Sequence, residues 1–136
     1  DTQISLSPDG RWLAYSSDRS GQDEIYVTPF PSRAFTRLVS RDGGTEPRWS
    51  RNGRELFFRS DGWLTTVPVM PGAGLVLGSP HPLFAVGQYR SARNRQEYDV
   101  APDGQHFVMI RNRPPTGQQL IYVENWFPEL LAKAKR

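Results

Sequence analysis

Apolar and polar residues alternate along this chain in short runs, each ended by turn residues. Gln3-Ile4-Ser5-Leu6-Ser7 alternates, Pro8-Asp9-Gly10 reverses the chain, and Trp12-Leu13-Ala14-Tyr15-Ser16 follows as a second strand. A polar turn over Asp18 to Asp23 leads into Glu24-Ile25-Tyr26-Val27-Thr28, and Phe35 to Val39 supplies a fourth run. The next segment repeats the series. Glu46 to Ser50, Glu55 to Arg59 and Trp63 to Val69 are strands joined by Asn52-Gly53 and Asp61-Gly62 turns, Met70 to Pro82 is a Gly/Pro-rich loop, and Pro82 to Ala85 is a short outer strand. A third segment runs through Glu97 to Ala101, His106 to Ile110 and Gln119 to Val123, with Asn112 to Gln118 as a polar insert. The final stretch, 125–136, predicts one short helix. Asn125 is its N-cap, Pro128 lies in the first turn, and basic residues end it.

Three copies of one phrase tie the segments together: Ser7-Pro8-Asp9-Gly10-Arg11-Trp12-Leu13-Ala14-Tyr15, Ser50-Arg51-Asn52-Gly53-Arg54-Glu55-Leu56-Phe57-Phe58, and Ala101-Pro102-Asp103-Gly104-Gln105-His106-Phe107-Val108-Met109. Their glycines are 43 and then 51 residues apart, the period of a β-propeller blade. The expected fold is all-β, one propeller segment over 1–136. It has about three four-stranded antiparallel blades, over 1–43, 44–90 and 91–124, the last one strand short, and then the terminal helix. Rings need about four to eight blades, so three leave apolar faces and strand edges uncovered. Further blades or a second copy are expected to cover them, and twice three makes a six-bladed homodimer.

The bulk numbers narrow the function classes. With no cysteine, disulfides and thiolate metal sites are excluded. The net charge of +3 arises from 17 basic and 14 interspersed acidic residues, too weak a bias to expect a nucleic-acid partner. No apolar run approaches the length that crosses a bilayer, so no membrane insertion by this segment is expected. Residue 1 is Asp and falls almost at a strand start, which suggests a piece of something longer.

The first unit, Ser7 to Gly21 followed by Glu24-Ile25-Tyr26-Val27, resembles the TolB-type, WD40-like repeat called PD40. The third unit keeps Pro102-Asp103-Gly104 and Ile121-Tyr122-Val123. The second has Arg51-Asn52 in place of Pro-Asp, and Asn-Gly makes the same turn. The end, Leu120 to Phe127, is similar to the close of propellers attached to bacterial membrane-bound serine/threonine kinases and related regulators. Together the resemblance covers about three quarters of the sequence. It implies a bacterial propeller used as binding scaffold, sensor or gate, in a periplasmic or extracytoplasmic setting, within an envelope protein or the sensor half of a kinase.

Chemistry is sparse. There is no Gly-x-Ser-x-Gly elbow, no phosphate-cradling loop and no cysteine nucleophile. His81 and His106 are not spaced as a metal pair. Asp9, Asn52, Asp61 and Asp103 read as turn residues, and Asp18, Asp23 and Glu24 are a poor calcium loop with Arg19 among them. Trp12, Trp49, Trp63, Phe57, Phe58 and Phe107 are expected in the core, with Trp126 and Phe127 anchoring the helix. Arg90, Arg93 and Arg95, beside Tyr89, are the binding candidates, because arginine forks take carboxylate or phosphate. The expectation is a non-catalytic module for a protein or peptide partner, without metal or cofactor. The alternatives are a self-assembling homodimer and a metal-dependent propeller hydrolase drawing on Asp99, Glu46 and Asn52.

Overall fold

The computed structural model describes residues 1–70, 72–92, 95–113 and 117–123, with residues 112, 113 and 117–123 described by backbone alone. Among the described residues there are twelve strands and no helix, in three antiparallel sheets. The first sheet is β1 (Thr2–Leu6), β2 (Trp12–Ser17), β3 (Glu24–Pro29) and β4 (Arg37–Leu38), side by side in chain order. The second is β5 (Thr45–Trp49), β6 (Glu55–Ser60) and β7 (Trp63–Met70), with β8 (Val76–Leu77) and β9 (His81–Ala85) both pairing with β7. The third is β10 (Tyr98–Val100), β11 (Phe107–Arg113) and β12 (Gly117–Val123). These are propeller blades, as the repeat predicts. The helix expected over 125–136, with Trp126 and Phe127, lies outside the described residues.

Two loops are more ordered than their composition suggests. The 70–82 stretch contains β8, which pairs Val76 and Leu77 with Met70 and Val69, while β9 pairs with the other end of β7 at Trp63 to Thr66. The strand β7 has eight residues, longer than one short partner can cover, so two partners share its edge. The described ends of the polar insert at 112–118 are strand, with Asn112 paired to Gln118 and Arg113 to Gly117. Ladder bonds are made by the backbone and tolerate polar side chains.

The repeated phrase folds into a repeated hydrogen-bond lock. Ser7 Oγ accepts the Trp12 amide at 2.9 Å and donates to Asp9 Oδ1 at 2.7 Å, which in turn accepts the Arg11 amide. Ser50 does the same with the Glu55 amide at 3.0 Å and Asn52 Oδ1 at 2.8 Å. In the third copy Ala101 has no hydroxyl, and the His106 imidazole is the side-chain partner of Asp103. The glycine in the turn of each phrase has φ between +71° and +74°, where an L side chain is strained. The hairpin at Asp61-Gly62 has both central residues at positive φ, 49° and 80°, the two-residue turn that matches strand twist.

The core is two layers between the three sheets. Leu56 and Phe58 pack toward Ala14, Ile25 and Val27 of the first sheet, while Phe57 packs toward Phe107 and Met109 of the third. Successive β-residues point to opposite faces, so the continuous apolar run of β6 marks a sheet buried on both sides. Phe107 meets Phe57 edge-on at 5.1 Å and Phe84 at 5.6 Å between ring centroids. Trp63 departs from its expected core position and is largely exposed. It stands at the tip of the β6–β7 hairpin, where the neighbouring sheets do not reach.

Candidate functional site

The innermost strands β1, β5 and β10 bring together three residues that the sequence reading did not connect: Gln3, Glu46 and Glu97, all buried. Each lies seven residues before the glycine of its turn, which is the signal that could have found them. Gln3 Oε1 accepts the Glu46 amide at 3.0 Å, and Glu46 Oε1 accepts the Glu97 amide at 2.5 Å. Side chain to backbone, each blade thus holds the next. Gln3 and Glu46 sit at bulges in their strands with φ of 51° and 56°. That conformation costs on the order of 1–3 kcal/mol for a non-glycine residue, and the bonds made there offset it.

Glu46 also meets the Arg59 guanidinium at 2.8 Å, with both side chains out of solvent. Burial pushes the Glu46 carboxyl above the ordinary glutamate range, the opposing pull of Arg59 notwithstanding. The Tyr98 hydroxyl donates to the Glu46 carbonyl at 2.8 Å, and burial pushes that phenol well up.

The loop between β9 and β10 is fastened to two of the inner strands, β1 and β5. Gln3 Nε2 donates to the carbonyls of Ala92 and Arg95, and Gln96 Nε2 to the carbonyl of Pro47 at 2.9 Å. Arg90 Nε lies 3.3 Å and Arg95 Nε 2.5 Å from the same Glu97 oxygen. The structure therefore brings Arg90 and Arg95 together on one carboxylate. Arg93 lies outside the described residues. Tyr89 is buried in the layer between the second and third sheets and forms a bridge with Arg111, whose guanidinium lies 6.0 Å from the tyrosine ring centroid. It anchors the loop from beneath. The loop borders a cleft of about 380 Å³ whose lining includes Asp42, Arg59, Asp61, Tyr89 and Ser91.

The residues considered for a metal-dependent hydrolase have other work. Glu46 is in the inter-blade chain, Asn52 Oδ1 serves its own turn, and Asp99 is exposed, 4.0 Å from Arg48. Among the described residues no group of three or more His, Asp or Glu is placed to hold a metal. Glu24 is buried and bonded to Ser40, Gln22 and the Gly43 amide. His81 opens β9 opposite Thr66.

The arc of blades superposes on solved propellers. TolB from Acinetobacter baumannii matches over 92% of this chain and 30% of its own, with a TM-score of 0.64 at 19% identity. A putative TolB from Agrobacterium tumefaciens matches over 88% and 44%, at 0.61 and 17%. An oligogalacturonate lyase from Vibrio parahaemolyticus matches over 90% and 36%, at 0.63 and 15%. The chain spans less than half the length of each. No protein-family model matches the chain, and no curated protein matches it in sequence. The chain folds as a segment of a TolB-like β-propeller. At these identities the likeness concerns fold, and fold does not carry function.

Proposed function

We propose that this chain is a non-catalytic binding module that takes a carboxylate-bearing protein or peptide at the loop before β10. The observation that supports the reading is the loop itself. The Gln3 side chain of β1 and the loop's own Gln96, on the Pro47 carbonyl of β5, pin it across two blades, yet the Arg95 side chain remains 59% exposed. Arg90 and Arg95 share the single carboxylate of Glu97, so positive charge is in excess there, and Arg93 adds to it in sequence. Arginine forks gathered beside one carboxylate suit carboxylate recognition. The buried carboxylates Glu46 and Glu97 are committed to structural bonds, which favours binding over catalysis.

Fluorescence anisotropy with a labelled hexaglutamate peptide, and a hexalysine peptide as control, tests this. Arg95→Ala should weaken hexaglutamate binding about tenfold, the worth of one charge-assisted hydrogen bond of about 1.4 kcal/mol, and leave the thermal midpoint nearly unchanged. Equal binding of the two peptides, or binding indifferent to Arg95→Ala, overturns the reading.

A second reading, of a different class, is a self-assembling unit in which two copies close a six-bladed ring. Exposed Ile4, Leu6 and Leu38 on the first sheet favour it. Light scattering on a size-exclusion column tests it: a mass near twice 15.5 kDa supports the ring, and a mass near 15.5 kDa overturns it.

A further inference from the structure

The cleft beside the loop before β10 has a chemistry of its own. Five segments build it: the turn before β3 with Asp23, the β4–β5 connection with Asp42, the end of β6 with Arg59, the β6–β7 turn with Asp61, and the loop itself with Tyr89 and Ser91. Its volume of about 380 Å³ is that of a small-ligand site. Backbone bonds fix its walls. The Gly44 amide donates to the Asp23 carbonyl at 2.7 Å, and the Val86 amide to the Gly62 carbonyl at 2.8 Å. Three aspartates line it, and they are not placed to share a metal ion. Asp42 and Asp61 are exposed, and among the described residues neither has an ion pair. Arg59 is the opposite case. Its side chain is only 6% exposed, and it still lines the cleft. Its Nε is 2.8 Å from a Glu46 oxygen and its Nη1 reaches the Tyr89 carbonyl at a long 3.5 Å, while Nη2 has no hydrogen-bond partner. Buried donors are nearly always satisfied, so this one calls for an acceptor.

We propose that this cleft takes the free N-terminus of a peptide, its ammonium on the Asp42 and Asp61 carboxylates and its first carbonyl oxygen accepting from Arg59. The proposal rests on the peptide-binding reading above and adds which end of the peptide enters and where. Glu46 neutralises Arg59, so the cleft as a whole is acidic and favours a cation. A carboxylate or phosphate is repelled by the three aspartates. A bare cation leaves the Arg59 donor unserved, and so does a lysine ammonium, which has three donors and no acceptor. A chain N-terminus carries its ammonium and its first carbonyl on the same Cα, and so serves both the aspartates and the guanidinium. The cleft shares Tyr89 and Ser91 with the loop that carries Arg90 and Arg95. A peptide seated this way brings its next carboxylates to Arg95.

Fluorescence anisotropy with a peptide of two alanines followed by glutamates, labelled at its C-terminus, tests this when its N-terminus is free in one sample and acetylated in another. Acetylation should weaken binding about tenfold, the loss of one charge-assisted contact. Asp42→Asn combined with Asp61→Asn should weaken the free peptide to the level of the acetylated one and leave the acetylated one unchanged. Both residues are exposed, and Asn tolerates the positive φ that Asp61 holds, so the thermal midpoint should stay nearly the same. Arg95→Ala should weaken both forms alike. Equal binding of the two forms, lost on Arg95→Ala, overturns the N-terminal site and leaves the loop reading standing. A preference for the free form that survives the double Asn change also overturns the site. An acetylated peptide beginning with lysine that binds as tightly as the free one overturns the assignment to a chain N-terminus. Binding of neither form overturns both readings.

Discussion

Glu46 binds the Glu97 backbone through one carboxylate oxygen at 2.5 Å while its other oxygen meets Arg59 at 2.8 Å. One side chain therefore joins the second blade to the third and neutralises a buried guanidinium. Removing one member of a buried pair strands the other's charge, at about 3–5 kcal/mol. Glu46→Ala should lower unfolding free energy by that order in urea titrations, and a loss below about 1 kcal/mol would show that the pair is not needed.

The same carboxyl sets a pH dependence. Its folded pKa lies above the ordinary value of 4.5 because burial penalises the charge. Above 4.5 the folded chain retains a proton that the unfolded chain has released. This group's contribution is fully present below 4.5 and is lost as pH rises through the folded value. Glu46→Gln should flatten the thermal midpoint over that interval, and an unchanged slope would assign it to another group.

The serine locks predict opposite effects in different copies. Ser7→Ala and Ser50→Ala each remove a hydroxyl that donates once and accepts once, and should cost about 1 kcal/mol. Ala101→Ser inserts the missing hydroxyl and should stabilise by a similar amount, about 1 kcal/mol. Ser7 and the Arg11 amide also hold the Asp9 carboxyl below its ordinary 3.8. Its stabilising effect is thus present above 3.8 and lost as pH falls below it. Urea titrations of the three variants, repeated at acid pH for Ser7→Ala, check both signs.

Gly44 marks a close approach between blades. A Cβ there would lie 2.6 Å from Ile25 Cγ1 and 3.2 Å from Phe58 Cδ2. Gly44→Ala should cost about 1–3 kcal/mol through overpacking, while Gly74→Ala, with open space around it, should be near neutral in the same melting experiment.

Phe57 and Phe58 are neighbours in the chain and belong to different core layers. Each replaced by Ala should cost about 3–5 kcal/mol. Exposed Trp63 replaced by Ala should change stability by about 0.5 kcal/mol or less. A large effect at Trp63 would mean that something covers it in solution.

The blades were legible because each is local. An Asp-Gly or Asn-Gly turn joins strands adjacent in sequence, and alternation within Gln3 to Ser7 or Trp12 to Ser16 shows in the residues themselves. The inter-blade chain was partly legible, since Gln3, Glu46 and Glu97 share one offset from their glycines, but polarity at a strand position reads as exposure unless the partner is known. Arg90 and Arg95 read as a cationic cluster. That they converge on Glu97 depends on how the loop folds back across the inner strands, which local pattern does not encode.

By itself, the sequence determined the repeated turns, the hairpins they join and the number of blades, because adjacent β-pairing is specified by turn chemistry and side-chain period, whereas β8 and its place beside β9 on β7 came from the structure. The tertiary structure decided which polar residues are buried and by whom they are satisfied. Glu46 with Arg59, Glu97 with Arg90 and Arg95, and Gln3 with the loop before β10 are pairings between distant segments, set by how one blade packs on the next. The same packing buries Trp49 against the first sheet, a contact that its strand pattern alone does not reveal.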